Sequence, residues 1–293
     1  MGRILSSQEI NKQSKKAYKR WESIWHKNAK ENRKHYSPLE NVRDTKTGKN
    51  AIIFAFGPSF IQNMADFKRN DMQYDYDVIC VDKAIKSCIK AGIKPNYCLV
   101  ADAQVDFEQY GRIDPKHVKR ITLIVTVTAN SDWVDYWVKN KGNVIFIINK
   151  DGIRTHKIFN KYFDYQKDEA YLVPAASNVA NSALVFASLV LGYDKILLAA
   201  FNYCYEMGGD YYGDKSKPVD TNYGFKKHAF NNHRTLVSPI DNKLVQASYN
   251  MHFSAGWLVD FVGQLEKENK CNIINVTGAG ILSIKKQARF KAA

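Results

Sequence analysis

Small residues and polar groups gather at the ends of short apolar runs in this sequence, a placement suited to handling phosphates and hydroxyls. The run Ala51 to Phe56 passes straight into Gly57-Pro58-Ser59. Gly57 lets the backbone approach a ligand closely, Pro58 stiffens the turn, and Ser59 stands where it can cap a following helix. The first N–H groups of such a helix attract phosphate. A second run ends in "CVDKA" and carries Asp82 to its tip, and a third, within "KPNYCLVADAQ", carries Asp102. A carboxylate so placed binds a ribose hydroxyl, holds Mg2+ on a polyphosphate, or acts as a base. Farther on, Ser177 or Asn178 opens a long helix almost without charge, and residues 195–200 lead to Asn202, Tyr203 and Tyr205 on the same edge. GxGxxG and GxxxxGK[ST] are absent, so the first turn is neither a dinucleotide fingerprint nor a Walker loop. HxxxH, HExxH and GxSxG are absent too, and no metal ligand is assigned.

These residues need a frame that brings strand ends together. Short, apolar, β-branched runs at 51–56, 77–82, 97–101, 121–127, 144–148, 171–173, 195–200 and 272–276 read as strands buried on both faces. Helical patterns fall between them at 59–68, 83–91, 131–139, 177–191 and 247–268. That alternation predicts an α/β fold, a doubly wound, mostly parallel Rossmann-like sheet, with an N-terminal basic helix. Ligands of such sheets bind beyond the carboxyl ends of the strands. Residues 1–48 are expected to be a basic helical extension and linker. Residues 49–293 form the main domain, with a loop-rich insertion at about 202–246 that covers the site.

The whole chain of 293 residues, 45% hydrophobic and 13% aromatic, has the makings of one large domain with a full core. No apolar run reaches the roughly 18–20 residues of a membrane span, and the polar N-terminus does not read as a secretory signal. Five cysteines without a CxxC pair read as reduced thiols, so a cytoplasmic location is expected. Of the net charge of +14, residues 1–50 hold 13 Lys or Arg against 5 Asp or Glu. The helix expected at 7–35 carries Lys12, Lys15, Lys16, Lys19 and Arg20, and Trp21 and Trp25 share one face that can dock it. Its bases would face a polyanion such as DNA through phosphate contacts.

The order of G-P-S after the first strand, "VDKAIKSCIKAGIKPNYCLVADAQ", "SNVANSALVFASLVLGYDKILLAAFNY" and "INVTGAGI" resembles one family. It is that of the 6-hydroxymethylpterin diphosphokinase MptE-like domains, in the version found in motility accessory factors, which are regarded as flagellin glycosyltransferases. The resemblance covers about residues 50–285. It implies that Gly57, Pro58 and Ser59 form a nucleotide loop and that Asp82, Pro95 and Asp102 occupy the places of the family's "VDxA" and "GIxPDxxxxxD" stretches. It further implies that Ser177 and Asn178 form the turn before the long helix and that Thr277 lies in an "NxT" strand end. Ala200 and Asn202 stand where the family often has Gly and Asp.

The resemblance implies a nucleotide-dependent transferase. As a glycosyltransferase it would move a sugar from a nucleotide-activated donor to a hydroxyl acceptor, with Asp82 and Asp102 as the catalytic acids. As a diphosphokinase it would move pyrophosphate from ATP, with Mg2+, to a hydroxymethyl group. A non-catalytic nucleotide- or nucleic-acid-binding protein is the third reading. Gly57, Pro58, Ser59, Ser177, Asn178, Asn202, Tyr203 and Thr277 are the residues expected to bind the nucleotide.

Overall fold

The computed structural model describes residues 21–36, 42–149, 158, 160–163, 172–173, 178–206 and 233–290. Helix α1 (21–33) precedes strand β1 (Asn50–Phe54), helix α2 (Phe60–Arg69), β2 (Asp77–Val81), α3 (Ile85–Lys90) and β3 (Tyr97–Val100). Then come α4 (Pro115–Val118), β4 (Thr122–Thr126), α5 (Ser131–Lys139), β5 (Val144–Asn149) and β6 (Leu172–Val173). Helix α6 (Val179–Phe186) leads to β7 (Lys195–Ala199), and the chain ends with β8 (Tyr205–Glu206), β9 (His233–Val237), β10 (Leu244–Ser248), α7 (Tyr249–Lys267) and β11 (Asn272–Asn275).

Eight strands form the main sheet in the order β11-β7-β1-β2-β3-β4-β5-β6. All neighbouring pairs are parallel. This is the Rossmann-like α/β arrangement the alternation predicts. The chain steps outward from β1 to β6, then returns to place β7 on the other side of β1. The strand order therefore reverses at the β1–β7 pair, where open sheets of this type leave a crevice. Strand interiors such as Ile52, Ile53, Phe54, Leu197 and Leu198 are fully buried, because helices cover both faces. Helix α6 packs on β1, β2 and β3 and is buried from Ala180 through Phe186, which explains its lack of charge. All five cysteines are free and buried. Burial pushes the Cys80, Cys88 and Cys98 thiols up, so they serve as small apolar side chains rather than nucleophiles.

Three segments differ from their sequence-level reading. Residues 43–50 read as a polar linker, yet Asp44 and Lys46 donate backbone N–H bonds to the Val190 and Leu191 carbonyls (both 2.9 Å), and Lys46 pairs with Asp77 at 2.8 Å. The segment is a strap across the amino end of the sheet. Second, the region 202–246 is not loop throughout: β8, β10 and β9 make a three-stranded antiparallel sheet. Residues 207–232 lie outside the described residues. Third, α1 docks by more than Trp25, which packs against the core. Asn28 Nδ2 donates to the carbonyls of Ala103 (3.1 Å) and Thr128 (3.2 Å), and Asn32 Nδ2 to those of Val127 and Ala129 (both 3.0 Å). His35 Nε2 meets Asp135 at 2.7 Å on α5. The helix thus lies across the carboxyl ends of β3 and β4. Lys12, Lys15, Lys16, Lys19 and Arg20 lie outside the described residues. No described helix is long and apolar enough to cross a membrane.

Candidate functional site

The turn after β1 is built against the exit of β7. Gly57 donates its N–H to the Ala200 carbonyl (3.2 Å). A Cβ on Gly57 would lie 2.4 Å from Asn202 Oδ1 and 2.6 Å from the Ala200 carbonyl oxygen, so only glycine fits. Ser59 sits at the N-cap of α2, but its side chain makes no capping bond there. Instead Asn202 reaches across, accepting from the Ser59 N–H (3.1 Å) and donating to Ser59 Oγ (2.8 Å). The helix is capped by a residue from the neighbouring strand end.

The exit of β11 closes the same knot. Thr277 Oγ1 accepts from the Phe201 N–H (2.9 Å) and donates to the Leu198 carbonyl (3.3 Å). Asn63, one turn into α2, accepts from the Ala200 N–H (2.7 Å) and donates to the Thr277 carbonyl (3.3 Å). Gly280, at φ +96, packs directly on the Asn202 backbone, and Ile281 donates to the Asn202 carbonyl (2.9 Å). Ala200 and Tyr203 both hold left-handed backbone, φ 60 and 52. Non-glycine residues pay for that conformation, and clustered strain of this kind gathers at working sites. Tyr203 donates its hydroxyl to Asn181 Oδ1, and Asn181 Nδ2 donates to the Ser254 carbonyl on α7 (3.1 Å). Burial pushes the Tyr203 phenol far up, so it is a fixed donor, with Asn178 also within its reach. Asn178 caps α6 by accepting from the Asn181 N–H (2.9 Å).

Two carboxylates stand at the next strand ends. Asp82, at 4% exposure, accepts from the Lys83 N–H (2.7 Å) as β2 turns into a short 3-10 turn. Burial pushes its carboxyl up to about 6, with Asp102 adding to the rise and the Lys83 ammonium and N–H opposing it. Asp102, after β3, is exposed and accepts from the Gln104 N–H (2.9 Å). The Asn28 side chain bonds the very next residue's carbonyl, so α1 borders this end.

The expected residues thus fall into two neighbouring groups. Gly57, Pro58, Ser59, Asn202, Tyr203, Thr277 and Asn178 surround the β1–β7 junction, while Asp82 and Asp102 occupy the tips of β2 and β3. Ser177 lies outside the described residues. Sequence reasoning missed Asn63, Asn181, Asn28 and Asn32. Their signal was an asparagine on the inward side of a helix, where a solvated polar residue has no reason to be.

The fold and this edge define an α/β protein of the Rossmann-like class with a polar knot at its topological switch point. The family model described as "6-hydroxymethylpterin diphosphokinase MptE-like" matches residues 24–208, and the chain belongs to that family. The match begins inside α1. No curated protein matches the sequence. Among solved structures, the chain is similar in fold to the MAf glycosyltransferase from Magnetospirillum magneticum AMB-1, with a TM-score of 0.57 at 14% identity. The similarity covers 92% of this chain and 39% of that one, so the chain spans well under half the length of its structural neighbour.

Proposed function

We propose that the protein is a nucleotide-dependent transferase that moves a sugar from a nucleotide-activated donor to a hydroxyl acceptor. The observation that carries this reading is the buried Asp82, held near pH 6 beside Asp102 and one strand from the Gly57 turn. A carboxyl so tuned accepts a proton from an acceptor hydroxyl and gives it up again near neutral pH. In this reading Gly57, Pro58, Ser59, Asn178 and Tyr203 shape the nucleotide seat. Asn202 and Thr277 hold the seat rigid, and Ser177 is proposed as a further nucleotide-binding residue. Asp82 acts as base, and Asp102 orients the acceptor or ribose. The fold neighbour, a glycosyltransferase, supports the choice of donor class.

The family's own description favours a second reading, transfer of pyrophosphate from ATP to a hydroxymethyl group. Mg2+ in that reaction would be held by Asp82 and Asp102 together with phosphate oxygens, since such ions take few protein ligands. Among the described residues no group of three His, Cys, Asp or Glu gathers to hold a metal. Mass spectrometry of the nucleotide retained on purification separates the readings. A CMP or UDP species supports the first, and ATP or a pterin the second. Absence of any retained nucleotide, together with no turnover of either donor class, overturns both and leaves a binding role.

The partner proposed for α1 is a polyanion such as DNA. Lys27, Lys30 and Lys34 are exposed on its outer side, and Asn28 and Asn32 turn inward. Binding there would fall steeply with salt as phosphate contacts release counterions.

A further inference from the structure

Helix α7 buries one side, with Ser254, Ala255, Leu258, Val262 and Leu265, and leaves the other in solvent. On that outer side Phe253 is 56% exposed, Val259 37% and Tyr249 36%, and Gly256 is exposed among them. Asp260 is the only charge from Tyr249 to Leu265. A helix so poor in charge is ordinarily covered on every side, and an exposed apolar row of this kind marks a contact surface. The glycines of the helix add to the case. Glycine weakens a helix interior relative to alanine. Yet among the described residues a Cβ on Gly256 or Gly263 would meet no atom within 4 Å, so packing among these residues does not call for either glycine. Close approach of another backbone does.

We propose that a second copy of the chain docks on this face, α7 against α7 and antiparallel, about a two-fold axis at Gly256. The face complements itself in that arrangement. A residue before Gly256 comes level with the residue equally far after it on the other copy, as an isologous contact requires. Tyr249 then meets Gly263, and Phe253 meets Val259, so each ring has a smaller neighbour. The His252 imidazole meets the Asp260 carboxylate, which gives the one charge of the face a hydrogen-bond partner. Gly256 meets its own copy and lets the two helices approach closely. A face with an acid and no Lys or Arg does not suit an anionic membrane or a nucleic acid. One helix pair buries less than a standard interface, so the expected dimer is of micromolar strength. The proposal is independent of the nucleotide reading. It bears on the site all the same, because the inner side of α7 holds Asn181 through the Ser254 carbonyl (3.1 Å), and Asn181 holds the Tyr203 hydroxyl.

Sedimentation velocity of the full chain, from about 1 to 100 μM, tests it, and a monomer-to-dimer shift is expected across that range. Gly256→Arg should weaken association at least roughly tenfold, since it puts bulk and like charge on the axis. At a dilution where both are monomers its melting temperature should match wild type, because the position is open within the chain. Asp260→Lys should also dissociate the dimer, and His252→Glu combined with Asp260→Lys should restore it, as the two positions meet only across the axis. All five native cysteines are buried, so an introduced thiol can be followed alone. Oxidation by diamide should link Gly256→Cys into a disulfide dimer and leave Lys267→Cys, far from the axis, unlinked. A chain that stays monomeric over the whole range overturns the proposal. So does a monomer in which Phe253→Ser lowers the melting temperature sharply, for then the chain covers the face itself. A dimer that survives Gly256→Arg, with Gly256→Cys unlinked, forms through another surface and overturns it as well.

Discussion

Asp82 carries opposite consequences for stability and for chemistry. Its carboxyl is raised from 3.8 to about 6 in the folded protein, so between those values the native state holds more protons than the unfolded one. Stability must therefore fall as pH rises from about 4 to 6, by roughly 3 kcal/mol if this group acts alone. Asp82→Asn keeps the acceptor for the Lys83 N–H and removes the charge. Denaturant titrations should show it level with wild type near pH 4 and more stable by about 2–3 kcal/mol at pH 7, while transfer is lost. A variant no more stable at pH 7 than at pH 4, relative to wild type, would show that the carboxyl is not strained by burial. The Gly57 contact gives a second test. Gly57→Ala forces its methyl against backbone at Ala200 and the Asn202 side chain, and should cost about 2–4 kcal/mol in thermal or chemical unfolding. Asn202→Asp keeps the acceptor for the Ser59 N–H and replaces the donor to Ser59 Oγ by an oxygen that the hydroxyl can turn to meet, so it should be milder than Asn202→Leu, which strands the Ser59 N–H.

At the scale of elements, what the sequence shows depends on whether burial leaves a pattern. Strands such as Ile52-Ile53-Phe54 and Leu197-Leu198 are apolar on both faces, and they emerge within a residue or two of their expected limits. The hairpin β9–β10 is half exposed, carries Arg234 and Gln246, and pairs Val237 with Leu244 at an open end, so its alternation was lost among polar neighbours. The Gly57, Asn202 and Thr277 positions were legible as strand ends, but their mutual bonds were not, because three distant segments make them. The inward asparagines of α1 were hidden for the same reason. Each satisfies two carbonyls, so Asn28→Ala with Asn32→Ala should destabilise by several kcal/mol, on the order of 1–3 per site. A chain starting near residue 45 should melt well below the full chain. If it melts at the same temperature, α1 is an accessory and not part of the fold.

At the scale of the whole molecule, charge and cover can be separated from the core. Replacing Lys27, Lys30 and Lys34 by Gln leaves the inward asparagines untouched, so the melting temperature should hold within about 2 °C. Affinity for duplex DNA, measured by fluorescence anisotropy, should drop several fold and lose salt dependence by about three ions. Unchanged affinity removes α1 from the interface. The small sheet β8-β10-β9 reaches the site through Cys204 and Ile281, which pack with Val245 and Ala247. If it serves as the cover, hydrogen exchange at 233–248 should slow on nucleotide binding, while β1 and β7 remain unchanged. Slow exchange in both states would make it fixed scaffold.

The place of β1 in the sheet bears on how the chain is made. One side of β1 meets β2, Ala51 with Asp77, almost as soon as both exist; the other side waits for β7, Asn50 with Lys195. During synthesis an apolar strand therefore spends a long interval with one row of N–H and C=O groups uncovered. Such an edge recruits other chains, and parallel pairings of this range close slowly. Refolding at low concentration should show a slow phase in which β1 amides gain protection together with those of β7. Chains stopped before residue 190 should associate through this strand unless a chaperone covers it.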